Sequence, residues 1–233
     1  MGAKAVAVMD LLGYKEHLKE HCAEEVLTTL RTRLDKTVRP SAGAGDYTAE
    51  QADQPIANRF LVYADTVLFY SSADSPDDVF NVVAEASYFA AMSVLPPGGQ
   101  PAWELPARGA VAVGDFAADC PDKAQLLGGR AFLEAYEVGQ ECDWAGCVVC
   151  DSVEKFYTER GLDPEGELGE FVTRYEVPCK CGSSKSLLAA KWPELADCQV
   201  SDFPTEPCGL AGGALQKYNN TKAFLEAMTE RSR

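Results

Sequence analysis

Histidine is scarce, two residues in 233, and His17 and His21 are the pair. They stand one helical turn apart among Glu16, Lys19 and Glu20, the pattern of a solvated helix face. No Ser-His-Asp or Cys-His constellation is evident with so few imidazoles, which argues against hydrolase chemistry of that kind. Positive charge is also short: 21 Lys and Arg face 36 Asp and Glu, a formal charge of −15. That balance argues against a protein that holds duplex nucleic acid by neutralising phosphates. It leaves room for an anionic substrate, because a bound divalent cation reverses the local field. No apolar run approaches the ~20 residues that cross a bilayer. The N-terminus carries a strand-like Val-Ala-Val run where a leader would have a basic flank and a cleavage site. The expected location is therefore cytoplasmic, without membrane or nucleic-acid partners. Internal repeats and a convincing linker are missing too, so one domain over residues 1–233 is expected, with a C-terminal helix at about 216–231.

Cysteine departs in the other direction. There are nine, an odd number that a secreted disulfide framework would not normally leave. In "CDWAGCVVC", Cys142, Cys147 and Cys150 are separated by four and two residues, and in "CKC" Cys179 and Cys181 by one. Structural zinc sites prefer two regular pairs, so these thiols are expected to be reduced, most of them small core residues.

The periodicity predicts a strand over Ala3 to Met9 and a helix over Tyr14 to Lys36. A loop follows at 39–55. "RFLVY" and "TVLFYSS" are separated only by Ala64 and Asp65, the signature of a hairpin. Ser75, Pro76, Asp77 and Asp78 then supply a helix start, and the helix is expected to reach about Leu95. Further strands are expected at Pro106 to Phe116, at Gly146 to Cys150, and as a late pair in "FVTRYEVP" and "SLLAAKW". Helices are expected in "LLGGRAFLEAYEVG", entered through its paired glycines with Arg130 at the start, in "DSVEKFYTER" with Asp151 as its cap, and at the C-terminus. A tight hairpin within this alternation makes the sheet mixed, and the class α+β with helices packed on one face.

Two acids stand out. Asp10 closes the first strand in "AVAVMDLLGY", and Asp65 sits at the hairpin tip. Neighbouring strands would bring them over one sheet edge, where carboxylates and the Leu11 carbonyl suit Mg²⁺ or Mn²⁺. The amides of Gly13 and Tyr14 open the following helix and could meet phosphate oxygens. Taken singly, Asp10 reads equally as a helix cap and Asp65 as a turn residue.

In order and spacing, "VMDLLGY", "VYADTVLFYSS", "ARGAVAVGD", "LLGGRAFLEAYEV" and "YEVP" followed by "AAKWP" resemble, over a motif-bearing core at about residues 4–193, the catalytic domain of class III nucleotidyl cyclases. They are most similar to its bacterial pyrimidine nucleotide cyclases of anti-phage signalling. The resemblance implies a ferredoxin-like mixed sheet, a homodimer with interfacial active sites, and two Mn²⁺ or Mg²⁺ ions held by Asp10, the Leu11 backbone and Asp65. It implies a pyrimidine nucleoside triphosphate as substrate, UTP ahead of CTP, and a separate effector that reads the cyclic product. Where purine cyclases carry an Asn and an Arg, this chain has Leu133 and Glu137 at about those places. Arg130, supplied by a partner subunit, could replace that charge. A strand regular to the hairpin tip would point Tyr63 the same way as Asp65, so that its ring could stack on a base. Arg108 could donate to a pyrimidine carbonyl. A "YADT" hairpin lacks the Gly-Gly-acid-acid sequence of diguanylate-cyclase relatives.

Overall fold

The computed structural model describes residues 3–38, 58–94, 103, 105–119, 126–198, 200–204 and 209–231. The expected loop at 39–55 lies outside the described residues. A seven-stranded sheet is built from β1 (Ala3–Leu11), β2 (Asn58–Tyr63), β3 (Thr66–Ser71), β4 (Ala107–Asp115), β7 (Gly146–Val149), β8 (Val172–Pro178) and β9 (Ser184–Ala190), in the order β2-β3-β1-β4-β7-β9-β8. Among the described strand pairs only β4 and β7 run parallel, joined by the crossover that contains α4 (Arg130–Glu141). The short strands β5 (Ala117–Asp119) and β6 (Leu126–Gly128) pair with each other at the start of that crossover.

β1 is an interior strand between β3 and β4, and Ala5 to Met9 are buried on both faces. Its small and branched residues explain how helices approach from either side. On one face Ala7 lies between Phe69 of β3 and Val111 of β4, and Phe69 packs edge-on against Phe89 of α3 (Pro76–Val94) with ring centroids 5.6 Å apart. α2 (Ala23–Val38) packs on α3. On the other face α4 presents a fully buried stripe of Ala131, Ala135 and Gly139, spaced one turn apart. A Cβ on Gly139 would sit 3.1 Å from the Gly109 Cα, so helix and strand backbones are in near contact. Helices α5 (Asp151–Thr158), α6 (Pro164–Leu168), α7 (Trp192–Leu195) and α8 (Gly212–Arg231) complete the chain. Among the described residues no helix is long and apolar enough to cross a membrane.

The hairpin, the first four long strands and the late strand pair lie where the sequence predicts them. The Ser75 start is a capping box: the Asp78 N–H donates to Ser75 Oγ at 3.1 Å and the Ser75 N–H to Asp78 Oδ2 at 3.4 Å. Three expectations need correction. The helix expected over Tyr14 to Lys36 is two helices, α1 (Tyr14–Glu20) and α2, broken at His21, whose φ of −125° and ψ of 148° are extended. Glu25 causes a fresh start there, since its Oε2 accepts the Cys22 N–H at 3.1 Å. Asp151 does not cap α5; Cys150 is the N-cap, and Asp151 sits in the first turn, facing the positive dipole end. The helices expected on one face of the sheet cover both, because the small residues of β1 and β4 admit α4 on the side opposite α3. α4 begins at Arg130, after the paired glycines as expected, and Leu126 to Gly128 pair as β6.

Candidate active site

Asp10 lies inside β1, opposite Thr66 of β3 and Arg108 of β4, and Thr66 in turn faces Tyr63 of β2. Directly opposed residues of antiparallel strands share a face, so Tyr63, Thr66, Asp10 and Arg108 form one row across the sheet. Tyr63 thus joins Asp10 by register. The route expected from the sequence is not the one followed, because β2 stops at Tyr63 and Ala64 turns with φ +52°. An alanine in that left-handed region costs about 1 kcal/mol, which strand pairing on both sides must offset. The turn brings Asp65 back beside β1, where its carbonyl accepts the Leu11 N–H at 2.7 Å. Asp10, Leu11 and Asp65 therefore meet at one sheet edge.

Asp10 does not cap a helix. Gly13, at φ +79°, is the N-cap of α1, and no side chain caps it. The Asp10 carboxylate instead accepts from Arg108 Nη2 at 2.8 Å and from Gln140 Nε2 at 3.3 Å, both at Oδ2. Arg108 Nη2 also donates to Gln140 Oε1 at 2.8 Å, and Nη1 to the Cys142 carbonyl at 3.2 Å. The guanidinium is 4% exposed and Asp10 25%. Arg108, expected to face a base, is first of all the partner of Asp10; only its Nε–H lacks a partner among the described residues. Lys180, in the turn between β8 and β9, stands near this cluster. Burial lowers its pKa first and the Arg108 and Lys217 charges next, while Asp10 and Asp143 oppose them.

This donor set fits a hard divalent cation. Among the described residues nothing donates to Asp10 Oδ1 or to the half-buried Asp65 carboxylate, so both present free oxygens. Gln140 and Lys180 were not legible as site residues in the sequence; a glutamine one position after the glycine that meets β4 is the only local trace of the first.

The other sequence candidates are more scattered. Tyr14 is half-buried against the core beside Gly13. Arg130 is exposed at the start of α4, where a Cβ on the preceding Gly129 would lie 2.2 Å from the Asp115 carbonyl oxygen. Arg108 and Asp115 are at opposite ends of β4, roughly 23 Å apart at strand rise. Within one chain, Arg130 and Asp10 are not brought together. Leu133, 53% exposed, and Glu137 point outward from α4.

Cys142, Cys147, Cys150 and Cys179 are buried and Cys22 and Cys181 exposed. Among the described residues no three His, Cys, Asp or Glu side chains are grouped to hold a metal. Burial pushes the Cys142 thiol up to about 12, and the Cys147 and Cys150 thiols up as well. A hydrogen bond with Ser183 holds Cys181 below the usual thiol range. Thiolate is the reactive form, so a brief maleimide pulse at neutral pH is expected to modify Cys181 fastest of the described cysteines and to leave Cys142, Cys147 and Cys150 untouched until denaturant is added. Peptide mass mapping reads the order, and early labelling of Cys147 would contradict it.

No protein-family model and no curated protein matches the sequence. Solved structures do match the fold. The non-canonical dimeric guanylyl cyclase domain of the RhoGC fusion protein from the aquatic fungus Blastocladiella emersonii aligns over 81% of this chain and 96% of its own, at 12% identity and a TM-score of 0.52. Adenylate cyclases of Trypanosoma brucei in their monomeric state align over 82% of this chain and 90% of theirs, at 11% identity and a TM-score of 0.53. The catalytic core of a rhodopsin-guanylyl cyclase with converted specificity, in complex with ATPαS, aligns over 81% and 93%, at 13% identity and a TM-score of 0.51. The chain has the fold of class III nucleotidyl cyclase catalytic domains.

Proposed function

We propose that the protein is a metal-dependent pyrimidine nucleotide cyclase, converting UTP in preference to CTP into the 3′,5′-cyclic nucleotide and pyrophosphate. The observation that carries this reading is the meeting of Asp10, Leu11 and Asp65 at one edge of a cyclase-fold sheet. Two Mn²⁺ or Mg²⁺ ions, when bound, supply Lewis-acid activation of the ribose 3′-hydroxyl and charge neutralisation of the triphosphate. The Asp10 and Asp65 carboxylates and the Leu11 carbonyl hold them. The Gly13 and Tyr14 amides face phosphate oxygens. Tyr63, 77% exposed on the Asp10 row, offers its ring for stacking on the base; the Arg108 Nε–H is buried and without a partner among the described residues, and would donate to a pyrimidine carbonyl only where the site opens around it. In the reaction the 3′-oxygen bonds to the α-phosphorus, the bond to the β-phosphate oxygen breaks, and the hydroxyl proton is lost to solvent.

Arg130 reaches such a site only from a second copy of the chain, which makes a homodimer with interfacial sites part of the proposal. So are a cytoplasmic location, an anti-phage role and a separate effector that responds to the cyclic nucleotide. The last two rest on the motif resemblance. A second reading, a silent cyclase-like domain that binds nucleotide or dimerises, is favoured by Leu133 and Glu137 on the outward face of α4. Incubation with Mn²⁺ and each of the four NTPs, with Asp65→Ala as control, separates the readings. Cyclic UMP as the main product is expected; nucleotide binding by calorimetry without cyclic product from any NTP would overturn the proposal in favour of the silent domain.

A further inference from the structure

Gln140 occupies the last turn of α4, directly after the glycine that lets the helix touch β4. Its side-chain amide is used in both senses. The carbonyl oxygen accepts from Arg108 Nη2 at 2.8 Å, and the NH₂ donates to Asp10 Oδ2 at 3.3 Å. Left alone, an arginine facing a carboxylate prefers the two-pronged arrangement that covers both oxygens. Arg108 is kept from it. Nη1 is tied to the Cys142 carbonyl, Nη2 is shared between Asp10 and Gln140, and every described bond to Asp10 ends on Oδ2. Carboxylate rotation about its last torsion is soft, so without Gln140 the aspartate and guanidinium are free to turn into the closed pair.

We propose that Gln140 is a positioning residue of the cyclase site: it holds Arg108 to a single oxygen of Asp10, so that Oδ1 stays open to a divalent cation. This rests on the cyclase reading above. Gln140 touches neither substrate nor cation in this role, and acts only through the Asp10 carboxylate. Partners of this kind around metal ligands typically change metal affinity by about 10–100-fold when removed.

The test is Mn²⁺ titration of the purified full chain, followed by the electron paramagnetic resonance of free Mn²⁺, alongside the Mn²⁺ dependence and UTP dependence of turnover. Gln140→Leu, similar in volume but without either hydrogen bond, is expected to weaken Mn²⁺ binding about tenfold and to raise the Mn²⁺ concentration for half-maximal turnover equally. KM for UTP and the melting temperature are expected to change little, a split that a merely structural role would not produce. Gln140→Glu keeps an acceptor for Arg108 and is expected to recover most of the Mn²⁺ affinity, which also guards against a folding defect in the leucine variant. Wild-type Mn²⁺ binding with an unchanged constant in Gln140→Leu would overturn the positioning role and leave the cyclase reading intact. Wild-type protein that neither binds Mn²⁺ nor turns over any NTP would remove both.

Discussion

Asp10→Ala is expected to lower stability by about 2–3 kcal/mol, whereas Asp65→Ala changes it by less than about 0.5 kcal/mol, although both abolish turnover. The two acids sit side by side but have different neighbours. Among the described residues Asp10 is the only carboxylate on a guanidinium that is 4% exposed, and removing it leaves a buried cation with two neutral acceptors, Gln140 Oε1 and the Cys142 carbonyl. Breaking a fully buried pair by deleting one partner costs about 3–5 kcal/mol. The lower figure applies because Asp10 is 25% exposed, so water enters where its carboxylate was. Asp65 has no charged partner among the described residues, and its structural tie to β1 is a backbone bond that alanine retains. Urea unfolding reads the stability difference, and the cyclic-product assay reads a loss of at least about 100-fold for each, beyond what outer partners of metal ligands give. Asp10→Asn, which keeps a neutral acceptor for Arg108, should recover part of the stability and none of the activity. Equal stability of the two alanine variants would mean that the Arg108 pair contributes nothing net to folding.

The same contrast explains what the sequence could reveal. Strand alternation in "AVAVMDL", the two-residue connection at Ala64 and Asp65, and the helix start at Ser75 and Pro76 are local patterns, and the structure follows them. The meeting of Asp10 with Asp65 was inferable because hairpin and first strand are short, apolar and consecutive in the motif order. The partner of Asp10 was not inferable. Arg108 is 98 residues away and Gln140 is 130, and their meeting depends on the β1–β4 register and on how closely α4 lies to the sheet. Neither is written in composition or in single-strand periodicity. Arg108 read alone is a free donor, and only the register makes it a buried counter-ion. The break at His21 is hidden for a related reason, since apolar spacing continues through it and the decisive signal is a single backward-reaching glutamate.

Gly129→Ala is expected to cost about 3 kcal/mol or more and to abolish activity through a part of the molecule far from the two acids. Gly129 has φ +141°, and a Cβ there would stand 2.2 Å from the Asp115 carbonyl oxygen and 2.7 Å from the Phe116 Cα. Both obstacles are backbone at the end of β4, so neither can swing aside. α4 would have to shift along its length, and the first to feel it is the other end of the helix, where Gln140 holds the Arg108–Asp10 pair. Gly139→Ala is the informative comparison. Its Cβ would meet the Gly109 Cα at 3.1 Å, a crowding of a few tenths of an ångström, set against the ~1 kcal/mol that alanine gains over glycine inside a helix. Stability is therefore expected to change little while α4 moves outward by that small amount. The 3.3 Å bond from Gln140 to Asp10, already the longest in the cluster, lengthens first. A variant that unfolds at the same urea concentration as wild type but needs more Mn²⁺ for turnover would show that helix-to-sheet distance sets the site; unchanged Mn²⁺ dependence in Gly139→Ala would show that Gln140 follows its partners and that the close approach serves packing alone.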